Sequence, residues 1–327
     1  MSREAVVEAF LGAKRITAIC HENPDADTLG SALALRMAAE RLGKQAEVVA
    51  ADPVPPSLRH LPYADQVRTT PGLEPDVAVV VDGPPSRTGA VARDCGPWLE
   101  RARIVNIDHH VSNDGNESSV AWVDPEAAAT CEMVALLLPD LGVRIDAEIA
   151  SVLTAGIVQD THTFSHPNAT PRTLRVAADL VEAGAPLSAI HRSIYADKPF
   201  STLALWGRIL AGATELRDGR IVYATMTLAM LAETGTDPVA SEGFIDLMAT
   251  TRAADITALF KEASPAEVRV SVRTSARADG VAITSAFGGG GHARAAGATV
   301  AGTLPEAVSR VLAECERELA RADARGR

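Results

Sequence analysis

Aromatic side chains are nearly missing from this chain of 327 residues: Phe, Trp and Tyr together make up 4% of it. With 47% hydrophobic residues, its core must rest on Ala, Val, Leu and Ile, and its length suggests two domains. No uncharged apolar run is long enough to cross a bilayer, and residues 1–15 mix charges with Ala, Val and Leu where a signal peptide would need an apolar core. Cysteine is scarce. Cys20, Cys95, Cys131 and Cys315 form no C-x-x-C pair, and their spacing gives neither a zinc site nor a disulfide framework. They read as reduced thiols of a cytoplasmic protein. Cys20 precedes His21, so a ligand role is open to it, but it reads better as a small buried apolar residue. Basic residues are outnumbered, 31 Lys and Arg against 42 Asp and Glu, for a net charge of −11. Such a surface is a poor binder of long nucleic acid, and no membrane partner is expected. Phosphate chemistry stays open, provided that bound metals bring the positive charge locally.

What is present is an alternation of short Ile/Val runs and longer helical patterns. Residues 16–19, 47–50, 77–81 and 104–107 read as strands. Residues 4–12, 31–42, 127–138, 147–158 and 173–183 read as helices, the 31–42 segment amphipathic and closed by Gly43. This order predicts a doubly wound, mostly parallel α/β sheet covered on both faces. Residues 190–205 break the pattern and are expected to be a linker between a catalytic domain (1–189) and a smaller α/β domain (206–327) facing it across a cleft. In the second half, residues 207–216 and 220–226 read as strands joined by a hairpin turn at Arg217-Asp218-Gly219. Residues 256–261 and 268–273 read as further strands, and 305–321 as a closing helix.

Asp and His recur where the strands of the first half stop. The places are His21-Glu22-Asn23-Pro24-Asp25-Ala26-Asp27, Val81-Asp82-Gly83, Ile107-Asp108-His109-His110 and, after a helix, Gln159-Asp160-Thr161-His162. In an open α/β sheet, ligands sit outside the carboxyl ends of the strands, so these segments can converge. Carboxylates and imidazoles without thiols suit Mn²⁺ or Mg²⁺. On a loop leaving a strand, Asp25 and Asp27 could serve different ions, with His21 joining Asp25. Asp82 could bridge both, and His109 and Asp160 would complete the second site. A pair of metals lowers the pKa of a bridging water and neutralises phosphoryl oxygens, so no Ser or Cys nucleophile is needed. Each piece has a plainer reading. Asn23-Pro24-Asp25 could be a turn, Asp27 or Thr28 could cap the following helix, and Asp82-Gly83 is a common turn. Asp160 could simply end a helix. Three ionisable residues directly after a buried strand, at 108–110, are costly unless paired or metal-bound.

On these residues the chain resembles the DHH phosphoesterases, named for the triplet seen here as Asp108-His109-His110. The stretch from His21 to Ser31 looks like that family's first motif, Asp82 with Arg87 like its second, and Ala155-Gly156-Ile157-Val158-Gln159-Asp160 like its fourth. The resemblance implies two metals per chain, Mn²⁺ with Mg²⁺ or Co²⁺ as alternatives. It implies that His21, Asp25 and Asp82 hold one, and Asp27, Asp82, His109 and Asp160 the other. His110 would lie beside the scissile phosphate and Asp108 would orient a histidine, which makes this pair the catalytic residues. The family often has Asp-Thr-Gly at the fourth motif. Here it is Asp160-Thr161-His162, and His162 could narrow the pocket, contact substrate or face solvent.

The second half holds Gly288-Gly289-Gly290-Gly291-His292-Ala293-Arg294. Glycines let a backbone approach a ligand, and their N–H groups can cradle a phosphate; the plainer reading is a flexible turn. The run resembles the Gly-Gly-Gly-His signature of the DHH-associated C-terminal domain, and the strand ending at Arg273 resembles the one that precedes it. This pairing implies substrate contacts from Arg273, Gly289, Gly290, Gly291 and His292, with Arg87 from the first half. It sets the chain apart from manganese pyrophosphatases and, with its modest length, from RecJ-type exonucleases. The expectation is an oligoribonuclease (nanoRNase) and 3′-phosphoadenosine 5′-phosphate (pAp) phosphatase, acting through a metal-activated hydroxide on short oligonucleotides or a nucleoside bisphosphate. A cyclic di-AMP or pApA phosphodiesterase is the alternative within the class. A non-catalytic nucleotide sensor and a small RNA-binding module are the alternatives outside it. Oligomeric state is left open, a homodimer included.

Overall fold

The computed structural model describes residues 2–94 and 101–326. Cys95 lies outside the described residues. The chain divides into two units, Met1–Asp197 and Lys198–Arg327.

In the first unit the elements run α1 (Arg3–Gly12), β1 (Arg15–Ile19), α2 (Ala26–Arg41), β2 (Gln45–Val49), β3 (Val77–Val81), α3 (Ala90–Asp94), β4 (Arg103–Asp108), β5 (Val120–Val123), α4 (Thr130–Leu137), α5 (Ala147–Asp160), α6 (Pro171–Glu182) and α7 (Leu187–His191). The five strands form one sheet in the order β2-β1-β3-β4-β5, and every pair in it is parallel. The Val run of β3 is buried along its whole length, as a central strand covered on both faces must be. The strand order reverses between β1 and β3, the switch point at which a crevice opens beyond the strand ends. His21 follows β1 and Asp82 follows β3, one on each side of it.

Helix α2 begins five residues before the expected start, because Asp25 caps it by accepting from Asp27 N and Thr28 N. It is not amphipathic: Ala26 through Leu35 are all buried. Ala, Gly and Ser along it let neighbouring helices close in. A Cβ at Gly30 would sit 2.3 Å from the Val152 carbonyl oxygen, so the absent side chain sets the approach of α2 to α5.

The second unit contains α8 (Phe200–Ala211), β6 (Thr214–Leu216), β7 (Ile221–Met226), α9 (Leu228–Thr234), α10 (Phe244–Ala249), β8 (Ile256–Ser264), β9 (Glu267–Thr274), α11 (Gly280–Thr284), β10 (Gly290–His292), β11 (Ala295–Ala301) and α12 (Leu304–Ala324). Its six-stranded sheet has the order β10-β11-β9-β8-β7-β6 and is antiparallel except for β7 beside β8. One face, with Ile256, Phe260, Val270 and Val272, packs on Val311, Cys315 and Leu319 of α12. The other, with Val222 and Leu259, packs on Leu205, Leu231 and Phe244 of α8, α9 and α10.

The hairpin forms as expected: Arg217, Asp218 and Gly219 take left-handed φ of 55°, 57° and 81°, and Arg220 N donates to Arg217 O across the turn. The strand expected over 207–216 is mostly helix. Thr202, Leu205 and Ile209 are buried at intervals of three and four, which is helical spacing, and only Thr214–Leu216 pairs as a strand. Residues 190–205, expected as a linker, run through the end of α7, a π-turn at Arg192–Ala196 and the first half of α8. Among the described residues no helix is long and apolar enough to cross a membrane.

Candidate metal centre

The side chains of the first unit converge beyond the carboxyl ends of β1, β3 and β4. His21 Nε2 lies 3.3 Å from Asp82 Oδ2 and 3.7 Å from Asp25 Oδ1. His109 Nε2 lies 3.4 Å from Asp82 Oδ1, 3.2 Å from Asp160 Oδ2 and 3.8 Å from Asp27 Oδ2. Asp82 thus presents one oxygen to each imidazole. Three overlapping groups have donor atoms close enough to share an ion: His21, Asp25 and Asp82; Asp27, His109 and Asp160; and Asp82, His109 and His110. All six residues named as ligands from the sequence meet here.

Local contacts hold these candidate ligands in place. Asp82 takes φ 61°, left-handed and costly for a residue with a Cβ, immediately before Gly83. Its Oδ1 also accepts from the Thr130 hydroxyl at 3.1 Å. Asp27 is fully buried at the N-terminus of α4, where Thr130 N and Cys131 N donate to its two oxygens at 2.6 and 2.8 Å. Both imidazoles turn their Nδ1 to a backbone carbonyl, His21 to Glu22 O at 2.7 Å and His109 to Ala127 O at 3.3 Å. That contact places the proton on Nδ1 and leaves Nε2 as the donor atom toward an ion.

Burial opposes charge on His21, His109, Asp27, Asp82 and Asp160, and the neighbouring charges decide the outcome. Burial works against protonated His21, yet Asp25 and Asp82 push its pKa up to about 10. His109 is likewise carried to about 12 by Asp160, Asp82 and Asp27. Asp82, between two imidazoles, is held well below the usual carboxylate range despite its burial. Asp27 is pushed well up by burial and by the charges of Asp82 and Asp160, and Asp160 is pushed up to about 6. Four carboxylates and two imidazoles therefore hold an excess of negative charge that protons must partly cancel. Divalent cations would cancel it instead, and the oxygen and imidazole donors fit them.

The DHH triplet divides its work. Asp108 is buried, accepts from His110 Nδ1 at 2.7 Å and from His110 N at 3.1 Å, and thereby orients the His110 ring. Its other oxygen accepts from Asn113 Nδ2 at 2.6 Å, and Asn113 also donates to Asn106. Asn106 in turn donates to Gly83 O at 2.8 Å, which ties the Asp82 turn to the triplet. Arg87 is exposed beside Gly83, one residue past Asp82. Cys20 is fully buried with its Sγ facing Thr28 O at 3.8 Å, and burial pushes its thiol up to about 12.

Several supporting residues escaped the sequence reading. Thr130, Asn106 and Asn113 have no local pattern that marks them. Gly156 does stand out, as a glycine inside a helix: a Cβ there would lie 2.4 Å from Cys131 Sγ and 2.6 Å from Asp27 Oδ1. Gln159 accepts from Ala26 N at 2.8 Å and so joins the fourth motif to the first. Beyond Asp160, His162, Thr163 and Phe164 all take left-handed φ, and the exposed His162 ring lies 4.7 Å from that of Tyr195.

In the second unit, Arg273 is engaged: its Nε donates to Asp246 Oδ1 at 2.7 Å. The glycine run is only partly a loop, since Gly290 and Gly291 pair with Gly297 and Ala296 in β11. The side chain of His292 lies outside the described residues. The DHH family, N-terminal domain, matches residues 15–157, and the DHHA1 domain matches residues 218–321. A bifunctional oligoribonuclease and PAP phosphatase NrnA of Thermus thermophilus is 35% identical over 309 residues, covering 92% of this chain and 89% of that protein. Its namesake in Bacillus subtilis is 26% identical over 303 residues, covering 90% and 92%. Among solved structures, an exopolyphosphatase-related protein from Bacteroides fragilis superposes with a TM-score of 0.92 over 98% of this chain and 97% of that one, at 22% identity. RecJ of Thermus thermophilus in complex with Mn²⁺ shares the fold at a TM-score of 0.55 and 17% identity, over 98% of this chain and 54% of RecJ. With sequence similarity running through nearly its whole length, the chain belongs to the DHH family and is a phosphoesterase, a hydrolase of phosphoester bonds, with a DHHA1 domain in its second unit.

Proposed function

We propose that this phosphoesterase hydrolyses short oligonucleotides and pAp, with two Mn²⁺ ions per chain, in the cytoplasm. The observation that carries the reading is the position of Asp82, which offers one oxygen to each of two imidazole-carboxylate groups at the switch point of a parallel sheet. His21, Asp25 and Asp82 would hold one ion, and Asp27, Asp82, His109 and Asp160 the other. Bound there, the ions supply an acidified water and positive charge for the phosphoryl oxygens. The chain's own residues do the rest. Asp108 holds His110 with its Nδ1 occupied, so that the protonated ring would present Nε2–H to a phosphoryl oxygen or the leaving group. Burial of Asp27 and Asp82 keeps bulk water from competing for the ligands. Residues 1–189 would carry the chemistry and residues 206–327 would hold the far end of the substrate, through Arg273, Gly289, Gly290, Gly291 and His292. The names of the relatives, oligoribonuclease and PAP phosphatase, support this substrate class.

The test is product release from pAp and from the dinucleotide pApA, with cyclic di-AMP and short DNA alongside. EDTA-treated protein is expected to be inactive and to recover with Mn²⁺ better than with Mg²⁺ or Co²⁺. Full turnover in chelated, metal-free buffer would refute the mechanism. Tight nucleotide binding without turnover at any metal would make the protein a sensor.

A further inference from the structure

Two cations of the second unit face each other with no anion between them. Lys261 on β8 and Arg269 on β9 are direct cross-strand partners, on the sheet face that also carries Ser271. Like charges directly opposite on a sheet destabilise it. Among the described residues neither side chain makes a hydrogen bond or ion pair. The nearby Asp246 carboxylate is already taken by Arg273. Burial and the charges of Arg269 and Arg273 push the half-buried Lys261 ammonium below its ordinary pKa, with Glu242 alone opposing them. The pair lines a cavity of about 450 Å³, together with Ser271, Phe287, Gly288 and Gly289. Cross-strand Cβ atoms lie roughly 5 Å apart, so both cations can reach one tetrahedral anion.

We propose that Lys261 and Arg269 form the anion subsite of the second unit and take a terminal phosphate monoester of the substrate. This rests on the reading that the second unit holds the substrate's far end, and it moves the charge recognition from Arg273 to its unneutralised neighbours. A dianionic phosphate there would accept from the ammonium and the guanidinium and cancel their repulsion, with the Ser271 hydroxyl on the same wall. The subsite would favour substrates with a terminal phosphate over those that end in a hydroxyl.

The test uses the full chain with Lys261→Met, Arg269→Met and the double variant, which keep the long stems and remove the charges. With Mn²⁺, kcat/KM is measured on pApA and on ApA. The wild-type preference for pApA is expected to fall about ten- to a hundredfold in each single variant, the worth of a charge-assisted contact. A second arm needs no turnover: the Tm of EDTA-treated protein is followed as inorganic phosphate is added. Wild type is expected to gain more than the double variant, and without phosphate the double variant is expected to melt no lower than wild type. An unchanged preference, or the same phosphate response in both proteins, overturns the proposal. If wild type hydrolyses neither dinucleotide, the functional reading fails by itself, and the phosphate response alone decides the subsite.

Discussion

Replacing Gly156 with alanine isolates what holds Asp27 in place. The glycine lies on α5 with ordinary helical backbone, so alanine adds one methyl group and no torsional strain. By helix propensity alone the change would stabilise by roughly 1 kcal/mol. The new Cβ, however, would sit 2.4 Å from Cys131 Sγ, 2.6 Å from Asp27 Oδ1 and 2.8 Å from Asp27 Cα. Real Cβ contacts keep at least 3.0 Å, so the sulfur must give by about 0.6 Å and the carboxylate by about 0.4 Å. Neither gives freely. Cys131 Sγ contacts Ser31 Oγ at 3.3 Å and Asp27 O at 3.4 Å, and the Asp27 carboxylate is fixed by Thr130 N and Cys131 N. Because a backbone atom of Asp27 is among the clashes, a change of rotamer cannot relieve it. Overpacking of this kind costs about 1–3 kcal/mol. The net expectation is a loss of about 1 kcal/mol, a fall in Tm of about 2–4 °C. The effect on function is larger, since Asp27, a ligand in the proposed metal site, would leave the productive geometry when displaced by about 0.5 Å. We expect a ten- to hundredfold loss in kcat (roughly the cost of a 1 Å misplacement) and weaker metal binding, measured by titration calorimetry of the EDTA-treated protein with Mn²⁺. Cys131→Ala added to Gly156→Ala should recover part of the stability but not the metal affinity, because the clash with Asp27 remains. A single variant with wild-type Mn²⁺ affinity and a raised Tm would show that propensity alone governs the site, and the packing argument would be wrong.

Three further outcomes follow from the cluster. Asp82→Ala should lose more metal than His21→Ala, since it removes an oxygen from both groups; elemental analysis of Mn²⁺-loaded protein decides it, and full metal content in Asp82→Ala would exclude a bridge. The metal-free protein should melt lower as pH rises from 5 to 9. His21, raised from an ordinary 6.5 to about 10, stabilises fully below its unfolded pKa and progressively less toward 10, and Asp160, raised from 3.8 to about 6, also loses its contribution as pH rises. With Mn²⁺ the slope should reverse, because metal binding releases those protons; a metal-free Tm that climbs over the same range would contradict the cluster's electrostatics. In a Cys95→Ala background, the buried thiols of Cys20, Cys131 and Cys315 should resist a disulfide reagent at pH 8 until the chain is denatured, and rapid labelling of native protein would show that they are accessible.

The candidate ligands were legible because they stand where Val- or Ile-rich strands or a helix end, and a parallel sheet collects such ends at one edge. The sequence indicated that the segments after β1, β3 and β4 can converge, and the strand order β2-β1-β3-β4-β5 sets these three strand ends side by side. The start of α2 was misjudged for a related reason. Its first turn is Ala-Asp-Thr-Leu, with no polar-to-apolar boundary, and the cap is Asp25, a residue already assigned to metal. One Asp25 oxygen accepts from the first-turn N–H groups and also faces His21 at 3.7 Å. The reading that offered Asp27 or Thr28 as the cap and Asp25 as a turn residue placed the helix start too late. The second unit was harder to read, because its outer strands are short and carry little apolar pattern. β11, which lies between β9 and β10, reads as Ala-Ala-Gly-Ala-Thr-Val-Ala, too small and too weakly alternating to announce a strand. The Lys261–Arg269 pair was out of reach for another reason: both strands were expected, but only the antiparallel register of β8 and β9 sets one charge against the other.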